Sequence, residues 1–229
     1  MDKSGEHFPW SQFVRDLQAD SMRETVKPFF PSRFNSLPPG GPIDLASSVG
    51  MLPNLTIWIS HYRTAAEALP LGTRARQLIV FPGDGTLTVE TRTNEFVCDG
   101  RFGVSVETEG LVSIRFRPGR SGAGALVDRL TLLRRLARLT DAPLQQRLTF
   151  DTRFDTASRH QAAVGELIRA VLAPTLGQAL TASPATASKL SATMLDLVLH
   201  SLPHNYSDAL LRRPAQSMPQ PLRRRRLTS

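Results

Sequence analysis

Five histidines, one cysteine and two close pairs of acids are the side chains in this 229-residue chain whose types suit metal binding, proton transfer or nucleophilic attack. A metal site needs several ligands that converge. His7, His61 and His160 stand far apart, and His200 and His204 share helical spacing only across Pro203, which breaks a helix. There is no HExxH stretch, so neither a metal nor a cofactor is expected. The single cysteine, Cys98, can form no disulfide within the chain, and with Asp99 beside it no cationic activator is evident, so it reads as a packed thiol. Glu107/Glu109 and Asp151/Asp155 sit beside turns, where carboxylates are solvated and not tuned for acid–base work. No Gly-x-Ser-x-Gly elbow, phosphate-binding loop or dinucleotide-binding glycine pattern occurs. Gly119, Gly122 and Gly124 read as a flexible joint between a strand and a helix. These readings point away from an enzyme.

What remains is recognition chemistry. Trp58 and Tyr62 are aromatic surfaces on which a ligand could stack, and Arg115 could pair with a carboxylate if it points inward. Each also has an ordinary structural reading: aromatics fill cores, and arginine faces water.

Strands must position these residues. Residues 55–62 alternate so that Leu55, Ile57 and Ile59 share one face and Trp58 and Tyr62 the other, which implies a strand covered on both sides. Residues 43–49 form a second candidate strand. Residues 76–81 and 86–91 read as a hairpin across Pro82-Gly83-Asp84-Gly85, and 95–98 and 101–106 as another across Asp99-Gly100. Residues 111–116 follow after Glu109-Gly110. Closely spaced strands with such turns predict an antiparallel barrel or sandwich over 43–118.

The period then changes. Residues 122–140 place Leu126, Leu130, Leu133 and Ala137 on one helical stripe, with Arg134, Arg135 and Arg138 in the last turns. A second helix is predicted over 158–172, with Val164, Leu167, Ile168, Val171 and Leu172 inward. A third opens with Ser183 and Pro184 and presents Leu190, Met194, Leu197 and Val198. Pro203 ends it, and a short turn follows at Ala209-Leu210-Leu211. Strands first and helices after is the α+β order. Residues 1–40 read as an irregular segment, apart from a short helix around Phe13 to Leu17, and no internal repeat is present.

The formal charge of +8 is unevenly spread: residues 212–229 hold Arg212, Arg213 and Arg223 to Arg226 and no acid, which leaves +2 for the rest. The body therefore carries no electrostatic footprint for nucleic acid, while the proline- and arginine-rich tail reads as disordered and suited at most to nonspecific binding. With 41% hydrophobic residues there is material for a real core, yet no apolar run is long enough to cross a membrane or to serve as a signal peptide. A cytoplasmic protein is expected.

One stretch says more. Residues 199–211, and within them Pro203-His204-Asn205-Tyr206-Ser207, resemble the junction that closes the N-terminal effector-binding and dimerisation domain of a group of AraC/XylS-family transcription regulators. The leucine-rich helix from Leu126, with Ala142-Pro143-Leu144 and Leu148-Thr149-Phe150 after it, resembles the same domain. By itself the motif reads as a connector: Pro203 ends a helix, Asn205 and Ser207 supply turn and capping groups, and Tyr206 packs the joint. The resemblance implies a cupin-like β-barrel over 43–118 that holds a small-molecule effector, followed by a helical dimerisation subdomain over 122–211. It makes Leu190, Met194, Leu197 and Val198 the candidate dimer face, in a homodimer or in a heterodimer with an intact relative. The same stripe would serve equally for packing on its own barrel. The family continues past this motif into two helix-turn-helix units, and only residues 212–229 follow Leu211 here. The expectation is a truncated regulator that reads no specific DNA by itself. The competing expectations are a free-standing cupin-like binding protein or enzyme, and a nonspecific nucleic-acid binder acting through the arginine tail.

Overall fold

The computed structural model describes residues 11–14, 32–37, 39, 41–70, 75–173, 176, 180 and 183–212. Two antiparallel sheets dominate it. The larger has seven strands in the order β1 (Ser11–Val14), β3 (Leu45–Leu52), β4 (Leu55–Tyr62), β11 (Arg120–Asp128), β6 (Arg76–Phe81), β9 (Phe102–Glu107) and β12 (Arg153–Asp155). The smaller has five, in the order β2 (Ser32–Ser36), β5 (Ala66–Pro70), β10 (Leu111–Phe116), β7 (Leu87–Thr91) and β8 (Glu95–Cys98). Four α-helices accompany the sheets among the described residues: α1 (Arg129–Thr140), α2 (Arg159–Val171), α3 (Pro184–Ser201) and α4 (Ser207–Leu211).

The larger sheet is the middle of three layers. One face of β4 carries Leu55 and Ile57 into a core shared with Leu132 and Leu136 of α1, Val164 and Ile168 of α2, and Met194 and Val198 of α3. The other face carries Tyr62, with Trp58 partly buried, into a second core shared with Ile114, Leu87 and Val89 of the smaller sheet. The alternation along residues 55–62 is thus realised, because each face of this strand has its own apolar partner layer. Ile57 is fully buried, which is worth roughly 1.5–3 kcal/mol relative to exposure.

The helices start where the local chemistry directs. Asp128 caps α1 by accepting the Thr131 N–H through Oδ1 at 2.9 Å. Ser158 precedes α2, and Ser183 and Pro184 open α3.

Four expectations need correction. The sheets do not close into a barrel: no ladder joins the two sheets among the described residues, so the body is an open sandwich. Neither expected hairpin forms. β6 pairs with β11 and β9, while β7 pairs with β10 and β8, so residues 82–85 carry the chain from one sheet to the other. Asp99-Gly100 likewise carries it from β8 back to β9. Turn chemistry is real at both places: Gly85 has φ 69°, and Asp99 Oδ1 accepts the N–H groups of Arg101 and Phe102 at 3.0 Å. A turn signal does not say whether the next strand pairs with the last or crosses the sandwich.

The third correction concerns residues 120–128, which form β11, the strand between β4 and β6, and not the start of a helix. The apolar helical stripe begins only at Arg129. Fourth, residues 11–14 are strand and not helix, paired with β3, and residues 32–36 pair with β5, so the first forty residues contribute an edge to each sheet. The rest of the expected helix, to Leu17, lies outside the described residues, as does the arginine tail beyond Arg212.

Candidate ligand-binding cavity

Between the two sheets the packing leaves a cavity of about 60 Å³. Its walls are the inward faces of β3, β4, β11 and β6 on one side, and of β2, β7 and β10 on the other. Most of the lining is apolar, for example Phe34, Leu45, Val80 and Ile114. Trp58, Tyr62, Ser60 and Arg120 supply the polar atoms that matter.

Period-2 geometry explains this composition. On β11 the inward positions are Arg120, Gly122, Gly124 and Leu126, while Ala123, Ala125 and Val127 face the helices. The two glycines leave the strand bare where large neighbours cross it. A Cβ on residue 122 would stand 2.5 Å from Arg120 Nη1, and one on residue 124 would stand 2.2 Å from the Trp58 ring. Gly122 and Gly124 are therefore not a flexible joint. They are the space in which the guanidinium and the indole lie.

Arg120 is 2% exposed. Its Nη2 donates to Phe81 O at 3.1 Å and its Nη1 to Asp84 O at 3.4 Å, and Nη2 also stands 3.9 Å from Cys98 Sγ. Nε is buried with no partner. Burial pulls the guanidinium below the usual arginine range, opposed by Cys98 and Tyr62. The phenol of Tyr62 is pushed well up, first by burial, with Arg120 and a Ser60 hydrogen bond acting against it. Burial also pushes the Cys98 thiol up to about 11, again against the pull of Arg120. The thiol does have a cation beside it, contrary to the expectation from its sequence neighbours, yet desolvation wins. Tyr62 stacks on Phe116 with centroids 3.9 Å apart and planes 9° from parallel.

Of the ligand-contacting candidates chosen from sequence, Trp58 and Tyr62 line the cavity and Arg115 does not. Ile114 and Phe116 take the inward positions of β10, which turns Arg115 outward. There it pairs with Glu90 at 3.1 Å and Glu95 at 2.7 Å. The arginine that reaches the cavity is Arg120. The signal for it was present in Arg120-Ser121-Gly122-Ala123-Gly124, a basic residue and two glycines on one face of a strand, which the helical reading of residues 122–140 obscured.

The proposed dimer stripe is divided. Met194 and Val198 are 1% and 2% exposed and sit in the core between α3 and the larger sheet, while Leu190 and Leu197 are partly buried against that same core. The reason is steric: α3 is packed on the larger sheet and on α1 and α2, so its apolar stripe is already covered. Arg135 of α1 binds Asp196 of α3 through Nε and Nη2 and fastens the two helices together.

The Pro203–Ser207 run is a joint. His204 is buried, its Nδ1 accepts the Tyr206 N–H at 3.0 Å and its Nε2 donates to Leu199 O at 2.7 Å, which defines a neutral imidazole. Burial lowers its pKa, the Leu199 carbonyl acting the other way. Asn205 Oδ1 accepts the Thr149 N–H, and Asn205 Nδ2 donates to Arg147 O, both at 2.9 Å. The Tyr206 hydroxyl accepts from Gln146 N–H at 2.7 Å and donates to Gln146 O at 2.8 Å. Ser207 Oγ accepts the His204 N–H at 2.9 Å. The motif thus clamps residues 146–149 to the end of α3.

Glu107 and Glu109 pair with Arg147, Glu107 also with Arg129, and Asp155 with Arg101. No group of three or more His, Cys, Asp or Glu side chains converges as a metal site among the described residues. No described helix is long and apolar enough to cross a membrane.

No family model matches the chain, and no curated protein matches it. Solved structures do match. The AraC-like transcriptional activator CuxR superposes with a TM-score of 0.55 at 13% identity, covering 84% of this chain and 71% of that one. The Clostridium difficile EutQ protein gives a TM-score of 0.28 at 13% identity, covering 37% of this chain and 63% of that one. What the chain shares with CuxR is the fold: a β-rich body of antiparallel sheets with a few helices.

Proposed function

We propose that this chain is the effector-binding module of an AraC-type transcription regulator, a sensor and not an enzyme, and that a small molecule bound between the sheets is its input. The observation that carries this reading is the cavity itself: an apolar chamber in a regulator-like fold, with an aromatic wall at Trp58 and Tyr62 and a buried charge at Arg120. A protein that only needed a core would gain stability by filling this space.

The layer order supplies a route for the signal. β4 and β11 face the cavity on one side and the helices on the other, so a ligand that shifts Trp58 or Arg120 also shifts Ile57, Ala123 and Ala125 against α1–α3. Two further contacts reach across. Ser191 of α3 donates to Pro53 O at 2.7 Å, in the turn between β3 and β4, and Arg169 of α2 donates to Pro82 O at 3.0 Å. The helices would pass the change to a partner, either a second copy or a DNA-reading unit, through the difference in ligand affinity between two poses.

The test is a small-molecule screen by thermal shift, followed by hydrogen exchange with and without each hit. A ligand of the cavity protects amides of β4 and β11 and alters exchange in α2 and α3. Trp58→Ala removes the shift. Hits that stabilise the Trp58→Ala chain as strongly as the native one bind elsewhere and overturn the reading.

A further inference from the structure

Arg120 defines the chemistry of the ligand. A guanidinium offers five N–H donors and stays charged at any physiological pH. Three of the five are spent among the described residues, on Phe81 O, Asp84 O and the Cys98 sulfur. The Nε–H has no partner among the described residues, while the Nη2 on the same edge is held by Phe81 O and Cys98, so one donor of the side-on edge stands open. Among the described residues no carboxylate pairs with Arg120. The ionisable groups that act on Arg120 are the neutral Cys98 and Tyr62 and a second cation, Arg169. The nearest acid along the turn, Asp84, offers Arg120 only its backbone carbonyl, because its side chain accepts from Ser121 Oγ at 3.1 Å. A buried cation without a counter-ion is costly to keep. An anion in the cavity would offset that cost, and the bare backbone at Gly122 gives the guanidinium its room.

We propose that the cavity takes a small carboxylate with a short apolar body, and that Arg120 binds its carboxyl group. This rests on the effector-binding reading above and narrows it to a ligand class. A carboxylate accepts the free Nε–H, can take Nη2 as a second prong when that group leaves Phe81 O, and carries one charge for one arginine. Inorganic phosphate fits less well, because it brings up to two charges and needs more donors than the walls hold. The Ser47 hydroxyl is already donated to Ile59 O at 3.0 Å, and Ser60 is engaged with Tyr62. Apart from Thr56 and the indole of Trp58, the remaining walls are apolar and solvate a hydrocarbon body. Phe81 O and Asp84 O flank Pro82, whose carbonyl Arg169 of α2 also holds. A carboxylate that draws Arg120 toward the cavity therefore loosens one of two grips on the 81–84 turn.

Titration calorimetry on the full chain tests this, with butyrate, hexanoate and cyclohexanecarboxylate, the primary amide of each, and inorganic phosphate, all at matched ionic strength. At least one acid binds saturably, its amide about tenfold more weakly or worse, because the buried guanidinium is then left without its anion. Phosphate binds no better than the amides. Arg120→Gln brings acid binding down to the level of the amide, and Arg120→Lys keeps part of the difference. With the acid bound, amide exchange at residues 82–85 speeds up relative to β11. Amides that match their acids, or an Arg120→Gln chain that binds acids unchanged, overturn the proposal while leaving the cavity's role standing. Failure of all three acids at millimolar concentration also overturns it, and neutral probes that quench Trp58 in a Trp10→Phe background then decide the broader reading separately. If Arg120→Gln does not fold, the comparison of acid with amide on the native chain still decides.

Discussion

The indole of Trp58 lies across the bare Cα of Gly124, on the neighbouring strand of the larger sheet. The pairing Gly124↔Trp58 puts the largest inward side chain of β4 beside a position with none, and so sets one wall of the cavity. Gly124→Ala must push the ring away, since its Cβ would come within 2.2 Å. The expected cost is roughly 1–3 kcal/mol, as for other overpacked cores. Urea denaturation reads the loss, and Trp58 emission in a Trp10→Phe background reads the displaced ring. A Gly124→Ala chain with native stability and emission would mean that the indole is not held where the structure puts it.

The joint at residues 203–207 holds residues 146–149 by side chain to main chain. Tyr206→Phe removes both bonds to Gln146, and Asn205→Ala both bonds to Arg147 and Thr149. Each substitution should cost about 1 kcal/mol, since these bonds lie near water that can partly replace them. Hydrogen exchange localises the effect. The Thr149 amide speeds up in Asn205→Ala, and the Gln146 amide in Tyr206→Phe. A uniform change across α3 would instead mean that the motif acts only by ending the helix.

Where sequence and structure agree, and where they part, has a physical pattern. The two faces of residues 55–62, the starts of α2 and α3 and the turn character of Pro203–Ser207 all rest on local chemistry, and local chemistry was readable. The pairing of β6 with β11, which runs from Ala123↔Phe81 to Asp128↔Arg76, joins residues far apart in sequence, so the turns at 82–85 and 99–100 read as hairpins when they are crossings. Arg120 was hidden for a related reason. Leucines at 126, 130 and 133 fit a helical period, and that pattern absorbed a strand whose inward face is built from absent side chains. Arg115 shows the limit of strand reading alone: alternation says that Ile114 and Arg115 face opposite ways, but not which way is in.

His204 makes the joint sensitive to acid. Its imidazole is buried and held neutral, with a pKa below the ordinary 6.5. The unfolded chain takes up a proton on this residue as pH falls through 6.5, and the folded chain does so only at lower pH. Stability from this group is therefore fully present above pH 6.5 and is lost as pH falls from there through the folded value. Denaturation midpoints between pH 8 and 5 should decline on the acid side, and His204→Gln should flatten that decline. A midpoint with equal slopes in both chains would assign the acid sensitivity to other groups.

Cys98 gives an independent probe of the core around Arg120. It is fully buried at the end of β8, its thiol is held up to about 11, and Arg120 does not suffice to ionise it. In the native chain at pH 8 it should resist thiol reagents, and its modification rate should follow the fraction unfolded as urea is added. Arg120→Gln removes the cation that touches the sulfur, so if that variant folds its thiol should be no more reactive than the native one. Fast modification of the native chain would place Cys98 in open contact with solvent.

Met194 separates packing from association on α3. A residue at a subunit interface is exposed in the lone protomer, and its truncation weakens the oligomer while sparing the fold. Met194 is 1% exposed within a single chain, in a core that includes Leu132, Leu136, Ile168 and Val198. Met194→Ala should therefore cost about 2–5 kcal/mol of unfolding free energy, the range for emptying a buried site. Light scattering at concentrations where the chain stays folded should show the same mass as the native protein. Leu197, only partly buried on the same helix, is the control: Leu197→Ala should cost less in stability. If Met194→Ala instead lowers the mass without lowering the denaturation midpoint, the stripe on α3 is a contact between protomers, and its burial here reflects an arrangement that the assembled protein changes.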